Sequence, residues 1–572
     1  TVTDDTLTWA CECASPLPVD HIRARGRPNC CDQSVQHPGD VMTSLCGVCR
    51  APATQRCSGC QQVAYCGRDH QRQDWRAQHR HQCRRFKVVR SDRLGRHLVA
   101  TRSIRQGEIV YRDTPYAVGP KIANVPVCLG CNRNLVPLLA KAALQAQRFY
   151  ECSRCGWPLC GVECEDVEQH RAECGVLAGT GYRPNIRPHP ADPERRESAY
   201  CVIVPLRVLL LERTAPERYA EVQGFESHLE QRLASPLYGV LRSNLVPFVR
   251  TVLGLRQYSE DTLLQVSAIL DTNCYELRQP ERHVKVRALY PLGAMLSHDC
   301  RPNTKHYFDD RLGMVLVATV DIPEGAVISV SYTQPLLGTL QRRLALRQAK
   351  CFDCACDRCT DPTELGTHVG GFRCPSCRQL HHHQSKGTGS ASWVVPCDPA
   401  SYRSPWRCQN RKCSYQERPE EYATRCERLQ AELLALDRTE PAVYEAFLVR
   451  HEPTLHGWNA YVLQAKYALT QLLAGRREQA PSDTANERRM VELCRDLLVV
   501  AERLEPGYGH FRTKLLLELA KALDGLRARG VVLSEQEQQE CRSARDELER
   551  IVKTDPTVKA GRITGDSRPL PS

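Results

Sequence analysis

Large rings are scarce in this chain. It has six Trp, nine Phe and only four Met in 572 residues, and aromatics make up 6% of it, while the apolar content is an ordinary 42%. That is a water-soluble globular composition, and a chain this long exceeds one core and is read as three or four domains. Long hydrophobic runs are missing as well. Nothing reaches the ~20 residues of a membrane span, and the stretch CVIVPLRVLLL is interrupted by Arg207. No signal-peptide pattern opens the sequence; residue 1 is Thr, so whether a segment precedes it is left open. No membrane-spanning helix is expected.

Cysteine, by contrast, is abundant, with 32 in all. A secreted chain would pair these as disulfides, whereas a reducing compartment leaves them as thiols for metal. Disulfides need no histidine at a fixed offset, and here histidines stand at fixed offsets, so the expectation is zinc. The formal charge of +12 then loses its nucleic-acid meaning. Twenty-one thiolates offset by six Zn2+ leave about +3. No strong nucleic-acid signal remains.

The first ligand set is Cys46, Cys49, Cys57, Cys60, Cys66, His70, His79 and Cys83. Eight donors in so short a stretch suit two tetrahedral zincs, with pairs one and three on one metal and pairs two and four on the other. Trp75 is expected to pack the small core. So small a unit needs zinc to fold, worth on the order of 10–16 kcal/mol per structural site. A second set repeats the architecture with little residue identity: Cys128, Cys131, Cys152, Cys155, Cys160, Cys164, His170 and Cys174. Twenty residues separate its first two pairs where the first set has seven, and no Trp matches Trp75.

Two further sets follow. Cys354, Cys356 and Cys359 offer three ligands, and Cys300 can supply the fourth only if the fold brings it there. Cys374, Cys377, Cys408 and Cys413 read as a zinc ribbon, with Cys397 a substitute ligand and His381, His382 and His383 in a solvated loop. Cys11, Cys13, Cys30 and Cys31 stay unassigned.

Alternating segments such as HLVATRSI, EIVYRD and HYFDDRLGMVLVATV read as strands, and AVISVSY as another. Those near residue 100 and those near residue 315 share a sheet only if what lies between is inserted. From about 420, apolar residues recur at i, i+3, i+4 and i+7, giving antiparallel helix pairs.

The first set resembles a MYND finger, with His70 where Cys is usual. The runs ALYPLGAMLSHDCRPN, VATVDIPEGAVISVSYT and LRQAKCFDCACDRC resemble the SET-and-MYND (SMYD) family of lysine methyltransferases, on its arthropod-type branch. The fold expected is a multidomain α+β architecture. An unassigned segment (1–45) precedes an N-terminal MYND finger (46–83). A β-rich SET domain (86–127 and 286–335) then carries an inserted second finger (128–174) and a helical insert (175–285). A post-SET zinc site (345–362), a ribbon-like segment (370–415), a TPR-like helical domain (420–555) and a disordered tail (556–572) complete the chain.

The resemblance implies S-adenosylmethionine-dependent methylation of a protein lysine, histone or otherwise. Tyr332 would lie beside the transferring methyl. Gly95, Arg96, Asn273, Ser297, His298 and Phe352 would hold the cofactor. Zinc would be structural. Three positions depart from the family pattern: Ser297 where an Asn is usual, His97 at the second Gly of a Gly-x-Gly turn, and Lys350 where an aromatic stands. They motivate the alternative of a weak or inactive adaptor whose fingers bind proline-containing peptides. A monomer in nucleus and cytoplasm, regulating chromatin or transcription through protein partners, completes the expectation.

Overall fold

The computed structural model describes residues 45–558, apart from 58–62, 81, 82, 84, 122, 123, 137–148, 187–191, 193, 194, 280–283, 378–391 and 480–482. Cys60, His381, His382, His383 and the unassigned N-terminal cysteines lie outside the described residues, as does 559–572.

Short β-sheets form the centre. β1 (Phe86–Ser91) and β2 (Gly95–Ala100) make an antiparallel hairpin. Its turn needs Gly95, whose φ of +62° is left-handed. β3 (Ile109–Asp113) pairs with β9 (Met314–Ala318), which pairs in turn with β8 (Thr304–Phe308). Leu316 lies opposite Tyr111 across 205 residues of chain, so the finger and helices between them are insertions, as the strand patterns require. A third sheet has β6 (Val284–Leu289) between β4 (Ala117–Pro120) and β5 (Cys274–Gln279). This corrects the expected insert boundary at 285: the helical insert ends at Asn273, and the chain is back in the sheet from Cys274. Of AVISVSY only β10 (Ser329–Val330) is paired as a strand. It runs parallel to β7 (Ser297–His298).

The second finger feeds α1 (Glu168–Gly179), and the insert contributes α2 (Ile203–Thr214) and α3 (Glu260–Asn273). The apolar run of α2 is buried all round, from Ile203 to Leu211, the pattern of a helix inside a core. No helix among the described residues is long and apolar enough to cross a membrane. α4 (Thr339–Lys350) leads to the post-SET cysteines. Four short strands then form the ribbon, β11 (Phe372–Arg373), β12 (Trp393–Pro396), β13 (Trp406–Cys408) and β14 (Gln416–Glu417), paired in chain order. The C-terminal helices are α5 (Pro419–Leu434), α6 (Pro441–His451), α7 (Ala460–Gln479), α8 (Thr484–Leu504), α9 (His510–Ala528) and α10 (Glu535–Thr554).

Burial sorts these parts into cores. One holds the sheets, the insert helices and the second finger, and another holds the ribbon with the C-terminal helices. Several contacts fasten the helices to the SET sheets. Tyr508 N donates to Thr319 O at 2.9 Å, an approach that only Gly507 permits, since a Cβ there would lie 1.9 Å from the same oxygen. Buried Lys305 on β8 pairs with buried Asp555 at 3.0 Å.

Candidate zinc sites and a candidate active site

Four donors around one zinc at Zn–S ≈ 2.3 Å put the sulfurs about 3.8 Å apart, the edge of a tetrahedron, where a disulfide would need about 2.05 Å. The sulfur pairs here fit the tetrahedron. Cys57–Cys83 is 3.8 Å, Cys131–Cys160 3.6 Å, Cys152–Cys174 3.7 Å, Cys300–Cys359 3.5 Å and both Cys374–Cys413 and Cys377–Cys408 3.7 Å. All described cysteines are free thiols.

The compact sets among the described residues include Cys46, Cys49, Cys66 and His70; Cys128, Cys131, Cys160 and Cys164; Cys152, Cys155, His170 and Cys174; Cys300, Cys354, Cys356 and Cys359; and Cys374, Cys377, Cys408 and Cys413. Each finger thus groups its first pair with its third. In the second finger, where all four pairs are described, the second groups with the fourth. Cys57 and Cys83 approach one another likewise, with His79 buried one helical turn before Cys83 and its carbonyl accepting the Cys83 N–H. This donor chemistry fits zinc. Two expectations fail. Cys397 is exposed and outside the ribbon's ligand set. Trp75 is 43% exposed rather than central, touching His79 edge-on at 5.7 Å.

What surrounds the ligands was not legible in spacing. His170 reaches Cys155 with Nε2, and its Nδ1 lies 3.3 Å from Glu173. Glu173 is gripped by Arg207, whose Nε and Nη2 donate to the two carboxylate oxygens at 2.6 Å each. Arg207 also donates to the carbonyls of Val118 and Leu129. A carboxylate on the far nitrogen fixes the ring and its tautomer. At the split site, fully buried Arg342 donates to Cys300 Sγ at 3.1 Å and Cys359 Sγ at 3.3 Å, and its other arm holds Glu364 at 2.8 Å. A guanidinium there offsets the negative charge of a tetrathiolate.

Cys300 links this metal set to a cluster of rings. The N–H of Tyr332 donates to His298 Nδ1 at 2.9 Å, so the His298 proton sits on Nε2, which faces Cys300 Sγ at 3.2 Å. His298, Tyr332 and Phe352 form one aromatic corner, with centroids 5.2–6.5 Å apart. The Tyr332 hydroxyl donates to Leu296 O. Although 37% of the Tyr332 surface is exposed, desolvation raises its phenol, as it does those of its neighbours Tyr111 and Tyr275, so all three stay protonated at neutral pH. Beneath them Asp113 accepts the N–H groups of Leu292 and Gly293 at 2.8 and 3.0 Å, and burial lifts its carboxyl to about 6.

The remaining predicted residues make contacts of their own. The Ser297 hydroxyl has no hydrogen bond among the described residues, and a Cβ on Gly95 would meet nothing within 4 Å. Arg96 is turned to the insert, donating to Gly224 O at 2.6 Å beside the Phe225 ring. Asn273 spends its amide protons on Glu226 O and Ile269 O, which leaves its carbonyl oxygen for a ligand. His97 folds onto the carbonyl of Gly95 at 3.0 Å instead of crowding the turn.

A MYND-finger family model matches residues 46–83, and a SET-domain model matches 95–333. SET domain-containing protein SmydA-8, isoform B, of Drosophila melanogaster is 30% identical over 337 residues, 56% of this chain and 66% of that one. The chain belongs to the SET-and-MYND family. Its place is on the arthropod-like branch. Human N-lysine methyltransferase SMYD2 is 28% identical over 37% of this SET-and-MYND chain and 47% of its own length. Histone-lysine N-methyltransferase ASHR1 of Arabidopsis thaliana is 23% identical over 49% and 57%. The chain therefore spans less than two thirds of the curated relatives it matches. A solved SET domain of LSMT, bound to lysine and AdoHcy, aligns at 11% identity with a TM-score of 0.25, too low to transfer any feature of its site.

Proposed function

We propose that this chain is an S-adenosylmethionine-dependent protein-lysine N-methyltransferase that acts on chromatin or transcription proteins in nucleus and cytoplasm. One observation carries the reading: His298 receives the backbone N–H of Tyr332 on one nitrogen and faces the metal-set sulfur of Cys300 with the other. Zinc binding at Cys300 would thereby fix the aromatic corner.

The cofactor supplies an electrophilic methyl group when bound. Gly95, Ser297, the carbonyl of Asn273 and the ring of Phe352 are the parts of this chain suited to hold it. The chain's own contribution is alignment, because an in-line displacement gains chiefly from orientation. It must also receive the acceptor amine uncharged. A lysine amine ordinarily titrates near 10.4, and a wall of neutral phenols disfavours the ammonium. Tyr332 sits at that wall as a protonated phenol.

Calorimetric titration with S-adenosylmethionine tests the reading. Saturable binding by protein of verified zinc content is expected, together with labelled methyl transfer to a peptide array. Tyr332→Phe should keep binding and lose transfer by roughly 10²-fold, the scale of one preorganised hydroxyl. Zinc-replete protein that binds no cofactor overturns the proposal. A second reading, peptide docking by the first finger, draws on its exposed Leu45 and Trp75, and needs no cofactor.

A further inference from the structure

Lys350 ends α4 at the aromatic corner. Its Nζ stands 5.5 Å from the centre of the Tyr332 ring and donates to Thr272 O at 2.6 Å, at the end of α3. Arg232 clips the same two helix ends, donating to Thr272 Oγ1 at 3.0 Å and Ala349 O at 2.9 Å. A cation here is poorly compensated. Its hydrogen-bond partner is a carbonyl and its other neighbour a ring face, with a second cation, Arg232, close by. Burial and then Arg232 hold the amine down to about 8, with Cys274, Asp271 and Cys351 only partly opposing them. A helix-end lysine that merely capped carbonyls would stay hydrated and fully charged.

We propose that Lys350 is a methyl acceptor of its own active site. This rests on the methyltransferase reading. The Nζ lone pair attacks the sulfonium methyl of S-adenosylmethionine, forming N–C as C–S breaks. The electron pair of that bond stays on sulfur, S-adenosylhomocysteine leaves, and water takes the amine proton. Arg232 holds the two helix ends together through Thr272 Oγ1 and Ala349 O, and release of Nζ from Thr272 O lets a rotamer change near the tip carry it from the ring face to the hydroxyl edge of Tyr332. Methylation would remove a donor from the Thr272 contact and add bulk beside the catalytic phenol.

The full chain, zinc-replete, is incubated with S-adenosylmethionine bearing a trideuterated methyl, and read by intact mass and peptide mapping. One labelled methyl on Lys350 is expected, at a first-order rate independent of protein concentration. Tyr332→Phe should slow it at least about tenfold, and Lys350→Arg should remove the label from that peptide. Cofactor binding and peptide methylation without label on Lys350 would overturn the inference and leave the enzyme reading standing, whereas absent cofactor binding overturns both. Label that persists undiminished in Tyr332→Phe, or a rate that rises with protein concentration, also overturns it.

Discussion

The two fingers share a ligand pattern and differ in almost everything else. The first has a core of its own, Cys46, Ala53, Cys57, Ala64 and Tyr65, and leaves Cys49 and Cys66 exposed. The second places Cys128, Cys152, Cys155, Cys164 and Cys174 inside the main core, among the residues of the SET sheets and α2. Its His170 is held through Glu173 by Arg207, which itself grips the carbonyls of Val118 and Leu129. Donor spacing therefore fixes the metal and says little about what the metal supports. In one finger zinc folds an appendage. In the other it completes the core of the SET domain.

Removing one ligand from each should break the symmetry most visibly. Cys174→Ser is expected to release zinc and lower the main calorimetric transition by more than ~10 °C, since a structural site contributes on the order of 10 kcal/mol. Cys66→Ser should release zinc too but move that transition by less than ~2 °C. Equal shifts would show that the fingers are integrated alike.

The next contrast concerns the support behind the ligands. Glu173→Gln leaves Arg207 buried without its counter-charge and should cost about 3–5 kcal/mol in urea unfolding. The double change Glu173→Gln with Arg207→Met should recover part of that, because a matched apolar pair avoids the stranded charge. In the first finger Asp74 accepts the Tyr65 hydroxyl at 2.7 Å. Asp74→Asn should cost only about 1 kcal/mol, confined to the finger.

The reach of the sequence follows the same division. Ligand sets could be read because a tetrahedron needs donors at short, fixed offsets, and the grouping of first pair with third follows from interleaving. Strands near 100 and 315 could be joined because their alternation demanded a shared sheet. Arg207 could not be understood this way. In sequence it only interrupts an apolar run; in the fold it meets Glu173 34 residues back and Val118 89 residues back. Lys350 likewise reads as a departure from an aromatic position, and its hold on Thr272, 78 residues earlier, appears only once α3 and α4 meet. The edge of the helical insert is hidden for a related reason: CYELRQ and VKVRAL alternate weakly, and their state is decided by VKVRAL pairing with both CYELRQ and the distant Ala117–Pro120.

The smallest expected effect settles which tryptophan matters. Trp75 lies between ligands on a helical segment, yet nearly half its surface meets solvent. Trp157, in the CGWPLC turn of the second finger, is fully buried against Tyr200 at 5.9 Å. Trp157→Ala should cost about 3–5 kcal/mol, the range for a large buried ring. Trp75→Ala should cost less than about 1 kcal/mol, because an exposed ring loses little transfer energy and leaves no closed cavity. Chemical denaturation of both variants decides it. If Trp75→Ala proved as costly as Trp157→Ala, the first finger would have to pack that ring in solution, and its standing as a loosely attached appendage would fall. If instead stability is kept and a proline-containing peptide that bound the wild type no longer binds, the exposed ring belongs to a docking face.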